Sequence, residues 1–154
     1  MTKIAIGADH AGFALKEKIK AYLEQQGYEL DDRGTSSTES VDYPDFARSV
    51  GEEVAEKQAH FGVLVCGSGI GMAIAANKVR GIRAANVTSE NEAQLAREHN
   101  NANVLALGAR MLENAKALAI TDKFLNTDFA GARHQGRVEK ISRMEREEIA
   151  KERC

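Results

Sequence analysis

Residues Phe61–Cys66 form an almost unbroken apolar run, followed at once by Gly67, Gly69 and Gly71. A run this short is a strand rather than a helix, and one apolar on both alternating faces must be covered on both. It therefore predicts a central strand of a parallel sheet that enters a helix through a glycine-rich turn. The rest of the chain repeats the theme. Lys3–Ala8 is strand-like, and Leu15, Ile19, Tyr22 and Leu23 follow at helical spacing until Gly27 stops them. Residues 28–33 suit a strand and 34–42 a polar loop rich in Ser and Thr, while Pro44 stands where a helix running to about Lys57 would begin. Beyond the glycine turn, residues 72–79 read as helix and 83–87 as a fourth strand. Ser89 with Glu92 makes a capping box for the next helix, and 103–107 is a fifth strand. Two helices finish the chain. The last, about 135–153, carries Val138, Ile141 and Ile149 among many charges, as a solvated terminal helix or a dimer element would. Strands alternating with helices predict an α/β fold in three layers around a five-stranded parallel sheet.

A chain of 154 residues suits a single domain spanning 1–154. Its formal net charge of -2 supplies no field for gathering nucleic acid. The apolar start, Ile4 to Ala8, is too brief for a signal-peptide core or a membrane span, so a cytoplasmic protein with no membrane partner is expected. Cys66 and Cys154 are neither a disulfide framework nor a cysteine-rich metal site, and Cys154 at the chain end is assigned no role. Asp9, His10, His99 and His134 lack the close spacings of zinc or iron ligands, so no metal is expected.

Open α/β sheets bind ligands beyond the carboxyl ends of their strands. The residues there are Asp9 and His10 after the first strand, Cys66 with Gly67-Ser68-Gly69-Ile70-Gly71 after the third, and Gly108 and Arg110 after the fifth. Alternate glycines between strand and helix let backbone N–H groups converge on an anion, although a tight turn with close helix packing would use the same residues. The spacing does not match the dinucleotide fingerprint, and no Lys-Ser or Lys-Thr pair closes the loop as in nucleoside triphosphate sites, so neither a nicotinamide cofactor nor a nucleoside triphosphate is expected. Cys66 could be an inert buried thiol. Its Gly-Ser-Gly neighbours favour a thiolate that acts as a base.

Arg133 and Arg137, four residues apart, share a helix face with His134 between them in sequence. They are an exposed basic helix end paired with nearby Glu residues, or the grip for a phosphate, with Arg110 as a third cation. His99, followed by Asn100 and Asn101, closes the helix that the capping box opens. It either caps that helix or donates a proton, a role that a helix C-terminus favours. In a right-handed βαβ arrangement this helix end lies at the opposite edge of the sheet from Cys66. A second subunit is therefore expected to supply His99. A Cys-His-Asn hydrolase built from Cys66, His99 and Asn100 is also conceivable, but would leave three phosphate-type arginines without a use.

The motifs together resemble the family of ribose-5-phosphate isomerase type B and the related galactose-6-phosphate isomerase subunits. The resemblance spans nearly the whole chain and rests on Gly7-Ala8-Asp9-His10-Ala11-Gly12-Phe13, Asp42-Tyr43-Pro44, Cys66 to Gly71, Ala75-Ala76-Asn77-Lys78, Gly81-Ile82-Arg83-Ala84, His99-Asn100, and Gly131 with Arg133-His134-Gln135 and Arg137. It implies a Rossmann-like fold, no metal or organic cofactor, and a homodimer with shared active sites, or a tetramer built on it. It further implies a phosphorylated sugar substrate, ribose 5-phosphate interconverted with ribulose 5-phosphate through an enediolate. A six-carbon sugar phosphate is the nearest alternative, and a non-catalytic sugar-phosphate sensor a more distant one. Carried over by position, Cys66 is the base and His99 the ring-opening acid. Asp9 and His10 contact the sugar, and the backbone of Gly67, Ser68, Gly69, Ile70 and Gly71 holds the enediolate oxygens. Asn100, Arg110, Arg133 and Arg137 complete the substrate and phosphate contacts. The Ser68 hydroxyl suits a proton shuttle between the two oxygens, a place where many relatives have Thr. Another branch of the family uses a Glu on the following helix as base; residues 72–76 hold no acid here, which places this chain with the cysteine branch.

Overall fold

The computed structural model describes residues 1–152, so Cys154 lies outside the described residues. In chain order the elements are β1 (Lys3–Ala8), α1 (Phe13–Gln25), β2 (Glu29–Asp32), α2 (Tyr43–Ala55), β3 (Phe61–Cys66), α3 (Ile70–Ala76), β4 (Ala84–Asn86), α4 (Glu90–Asn100), β5 (Val104–Gly108), α5 (Asn114–Leu125) and α6 (Arg133–Glu152). The strands form one sheet in the order β2-β1-β3-β5-β4, every pair parallel. This is the expected three-layer α/β arrangement, with β3 at its centre.

The pleat divides the core. Ile4, Ile6, Val63, Val65, Leu105 and Leu107 face a layer built from α1, α4 and α5, where Leu15, Ile19, Ala93, Ala117, Ile120 and Phe124 are buried. The alternate residues Ala5, Leu64, Cys66, Val104 and Ala106 face α2 and α3, meeting Val50, Val54, Met72 and Ala76. Burial on both faces is why β3 and β5 read as continuous apolar runs rather than alternating ones. The Cys66 side chain belongs to the α2/α3 layer.

Element ends differ from the sequence expectation in instructive places. Helix α3 starts at Ile70, not Met72, because Gly69 adopts φ 82 and turns the chain directly into the helix. Strand β4 is three residues long rather than five. Helix α6 begins at Arg133, two residues early, after Gly131 and Ala132 with φ 66 and 48. It packs against α4. No helix among the described residues is long and apolar enough to cross a membrane.

Candidate active site

Cys66 ends β3 and is buried, with 5% of its surface exposed. The left-handed Gly69 brings its own N–H back onto Cys66 Sγ at 3.2 Å. An N–H aimed at sulfur is a weak bond to a thiol and a charge-assisted one to a thiolate. The Ile70 N–H donates to Ser68 Oγ at 3.2 Å, so two donors of the glycine run are engaged within the turn, one by the sulfur itself.

Neighbouring strand ends deliver the other carboxyl-edge residues to the same place. Cys66 is level with Gly108 of β5, and the Ala109 and Arg110 N–H groups donate to the carbonyls of Cys66 and Gly67. The Arg110 guanidinium lies over Gly67: a Cβ on that glycine would stand 3.0 Å from Nη1. On the other side the Asp9 N–H donates to Val65 O at 3.2 Å, and buried Asp9 Oδ1 accepts the Gly12 N–H at 3.0 Å. Gly12 is needed because a Cβ there would sit 2.3 Å from Val65 O. His10 is half-buried, and its Nδ1 accepts the Val41 N–H at 3.2 Å, which ties it to the loop between β2 and α2.

That loop is anchored by a buried lysine. Lys16, 1% exposed, donates to Asp32 Oδ1 at 2.7 Å and to Thr35 O at 2.8 Å, while the Ala8 N–H donates to Gly34 O and the Thr35 N–H to Ala8 O, both at 2.7 Å. Burial works against the Asp32 carboxylate, but hydrogen bonds from Lys16, Gly34 and Lys20 outweigh it and hold the group below its ordinary pKa. Tyr43 is a site residue that sequence reasoning missed. Its ring lies where a Cβ on Gly71 would be, 2.5 Å from that position, against the turn beside Cys66. Asp42-Tyr43-Pro44 was visible as a motif, but nothing local said that the ring reaches the glycine turn.

The second group of predicted residues gathers elsewhere. His99, Asn100, Arg133 and Arg137 line one cavity of 310 Å³ with His134, Val138 and Ile141, between the end of α4 and the start of α6. The rings of His99 and His134 stack with centroids 4.2 Å apart and planes 16° from parallel. Burial first, then His99, Arg133 and Arg137, push His134 below the ordinary histidine pKa, against a smaller pull from Glu98. So many donors and cations around one cavity suit an anion. Since α4 runs back against the strands, this cavity sits at their amino edge, where Arg83 Nε, just before β4, donates to Asn101 O. Cys66 is at the other edge: β3 and β5 run in register from Gly62 opposite Val104 to Cys66 opposite Gly108. At 3.3 Å per residue those four steps alone separate the edges by about 13 Å. A larger cavity, 710 Å³, lies between α4 and α5, but its carboxylates Glu90, Glu98, Asp122 and Asp128 outnumber its one cation, Lys123, and are unsuited to a phosphate.

Fold and site together define the class: a Rossmann-like α/β protein in which a buried thiol meets a backbone donor at the carboxyl edge of the sheet, where such folds take their ligands. The family model described as Ribose/Galactose Isomerase matches residues 4–141, and the chain belongs to that family. It is 47% identical over 145 residues to ribose-5-phosphate isomerase B of Escherichia coli K12, covering 94% of this chain and 97% of that protein. The solved ribose-5-phosphate isomerase B of Clostridium thermocellum superposes with a TM-score of 0.94 at 49% identity, covering 95% of this chain and 99% of that one. The Mycoplasma genitalium enzyme, solved with bound ribulose-5-phosphate, gives a TM-score of 0.91 at 42% identity, with 95% and 97% of the two chains covered.

Proposed function

We propose that this chain interconverts ribose 5-phosphate and ribulose 5-phosphate, with Cys66 as the base. The observation that carries the reading is the Gly69 N–H directed at a cysteine sulfur that ends the central strand, among Asp9, Ser68 and Arg110. The open-chain aldose binds with C2 beside Sγ. The Cys66 thiolate removes the C2 proton, the C2 electron pair forms the C1–C2 double bond, and the aldehyde oxygen takes the charge. Backbone N–H groups of residues 67–71 hold this enediolate, those of Gly69 and Ile70 turning to it from Cys66 Sγ and Ser68 Oγ, and main-chain donors of this kind are able to contribute several kcal/mol. The Ser68 hydroxyl relays the proton between O2 and O1, and Cys66 returns its proton to C1, giving the ketose.

Asp9 and His10 contact the sugar hydroxyls. The cavity at the amino edge cannot serve the Cys66 of its own chain across the sheet, so a second copy supplies it. In that homodimer His99 of one copy protonates the ring oxygen of the furanose bound at Cys66 of the other, and Asn100, Arg133 and Arg137 hold the phosphate with Arg110. Binding of ribulose-5-phosphate by the Mycoplasma genitalium relative supports the five-carbon substrate.

Turnover of ribose 5-phosphate, allose 6-phosphate and galactose 6-phosphate under matched conditions tests the assignment. The five-carbon substrate is expected to have the highest kcat/KM. A higher value for either six-carbon substrate would move this chain to the other substrate class.

A further inference from the structure

The proposed proton donor and phosphate cations come from two segments, the end of α4 and the start of α6, whose relative position decides whether they act on one substrate. Arg97 lies between those segments. It is 7% exposed, with its guanidinium over the rings of Phe61 and Phe124 at 4.9 and 5.8 Å. Nη1 donates to Asn101 Oδ1 at 3.0 Å and to Ala102 O at 2.6 Å, in the turn directly after His99 and Asn100. Nε donates to Thr127 O at 3.1 Å, in the segment that leads to Arg133. That segment returns a bond of its own, Ala130 N–H to Glu98 O at 3.1 Å.

A buried cation is an expensive way to hold a core together. Taking a guanidinium out of water is costly, and a methionine or leucine would cover Phe61 and Phe124 without that cost. Burial is also the leading influence that lowers the pKa of Arg97, followed by the charge of Arg83, against Asp128. These hydrogen bonds reach neutral oxygens in two loops. A planar fork with several fixed donors can join two loops at once, which an ammonium on a flexible stem does poorly.

We propose that Arg97 is a positioning residue that clamps the turn 101–102 to Thr127 and so fixes His99 relative to Arg133 and Arg137. Arg97 acts through them and does not touch substrate. The inference rests on the reading of His99 as the ring-opening acid.

The two directions of the reaction separate a clamp from a general structural role. Ribose 5-phosphate is largely a closed furanose and needs the acid. Ribulose 5-phosphate, whose 5-oxygen carries the phosphate, forms no five- or six-membered ring and needs none. Turnover of ribose 5-phosphate is therefore compared with exchange of the C1 proton of saturating ribulose 5-phosphate into solvent, for Arg97→Met, Arg97→Lys, Asn101→Gly and His99→Ala. Arg97→Met keeps the packing on Phe61 and Phe124. Asn101→Gly removes one acceptor while tolerating the left-handed φ of 47 at that position, so it keeps the test alive if the Arg97 variants do not fold.

Misplacing a catalytic group by about 1 Å can cost on the order of a hundredfold, so both Arg97 variants are expected to lose at least about tenfold in ribose 5-phosphate turnover, with exchange kept within about twofold. Asn101→Gly should show the same split at roughly threefold, as expected for losing one of the clamp's hydrogen bonds. Equal loss in both assays, or no loss in turnover, overturns the clamp. His99→Ala distinguishes the two levels: if it shows the split and the Arg97 and Asn101 variants do not, the clamp alone fails. If His99→Ala loses nothing, the ring-opening reading fails, and the clamp with it.

Discussion

Glu53 is a buried carboxylate outside the site, 5% exposed, and neither of its oxygens meets a hydrogen-bond donor. Lys3 and Arg33 stand 3.8 and 3.7 Å away, at ion-pair distance only. Burial, then the neighbouring Asp31 carboxylate, push Glu53 up to about 7, and a proton on Glu53 supplies the bond that the pair otherwise lacks. The native state therefore keeps a proton that the unfolded chain loses near the ordinary value of 4.5, so Glu53 makes stability fall as pH rises from there through about 7. Glu53→Gln, which mimics the protonated form, is expected to add roughly 1–3 kcal/mol at pH 8 and nothing at pH 4. Thermal melts at the two pH values check this, and a variant no more stable than wild type at pH 8 would contradict it. Cys66 shows the opposite case of a side chain with a partner aimed at it, and the difference lies in the backbone: the left-handed Gly69 folds a donor onto the sulfur.

At the scale of elements, the site depends on how tightly α1 and the strand ends meet. Gly12 caps α1 directly against Val65 O, one residue from Cys66, and donates to Asp9. Gly12→Ala must push α1 away from β3, since the intruding methyl meets backbone rather than a side chain that can swing aside. The expected result is a loss of roughly 1–3 kcal/mol in denaturant unfolding, with a fall in activity as Asp9 moves. An alanine variant with unchanged stability and activity would show that this junction is slack. Which parts of the site were legible in the sequence follows from the same geometry. Asp9, Cys66, the glycine turn and Arg110 were readable because each sits next to a strand that its own apolar run announces. The stack of His99 on His134, the reach of Tyr43 to Gly71 and the anchoring of a loop by Lys16 were not, because they join elements far apart in the chain and leave no local periodicity. The early start of α6 was hidden for another reason: Ala132 adopts φ 48, which nothing about an alanine suggests.

For the whole molecule, one sheet separates the Cys66 turn from the cavity lined by His99, Arg133 and Arg137, and the sequence pattern already implied this through the direction of α4. Two copies related by a two-fold axis can bring the amino-edge cavity of each to the Cys66 edge of the other. Mixing Cys66→Ala with His99→Ala chains tests that assembly. Each variant alone is expected to be nearly inactive on ribose 5-phosphate, and random re-association should recover about a quarter of wild-type turnover, because half the dimers are mixed and each mixed dimer has one intact site of two. No recovery would mean that the two residues do not serve one shared site.

The claim beneath the rest is that the sulfur of Cys66 removes the C2 proton. Its most direct test is the loss of deuterium from ribose 5-phosphate labelled at C2, followed for wild type and Cys66→Ala at saturating substrate, with binding measured separately. Wild type is expected to release the label from C2, whether to C1 or to water, and Cys66→Ala to release it about 10²–10⁴-fold more slowly while still binding substrate. Release at the wild-type rate from the alanine variant would contradict the mechanism.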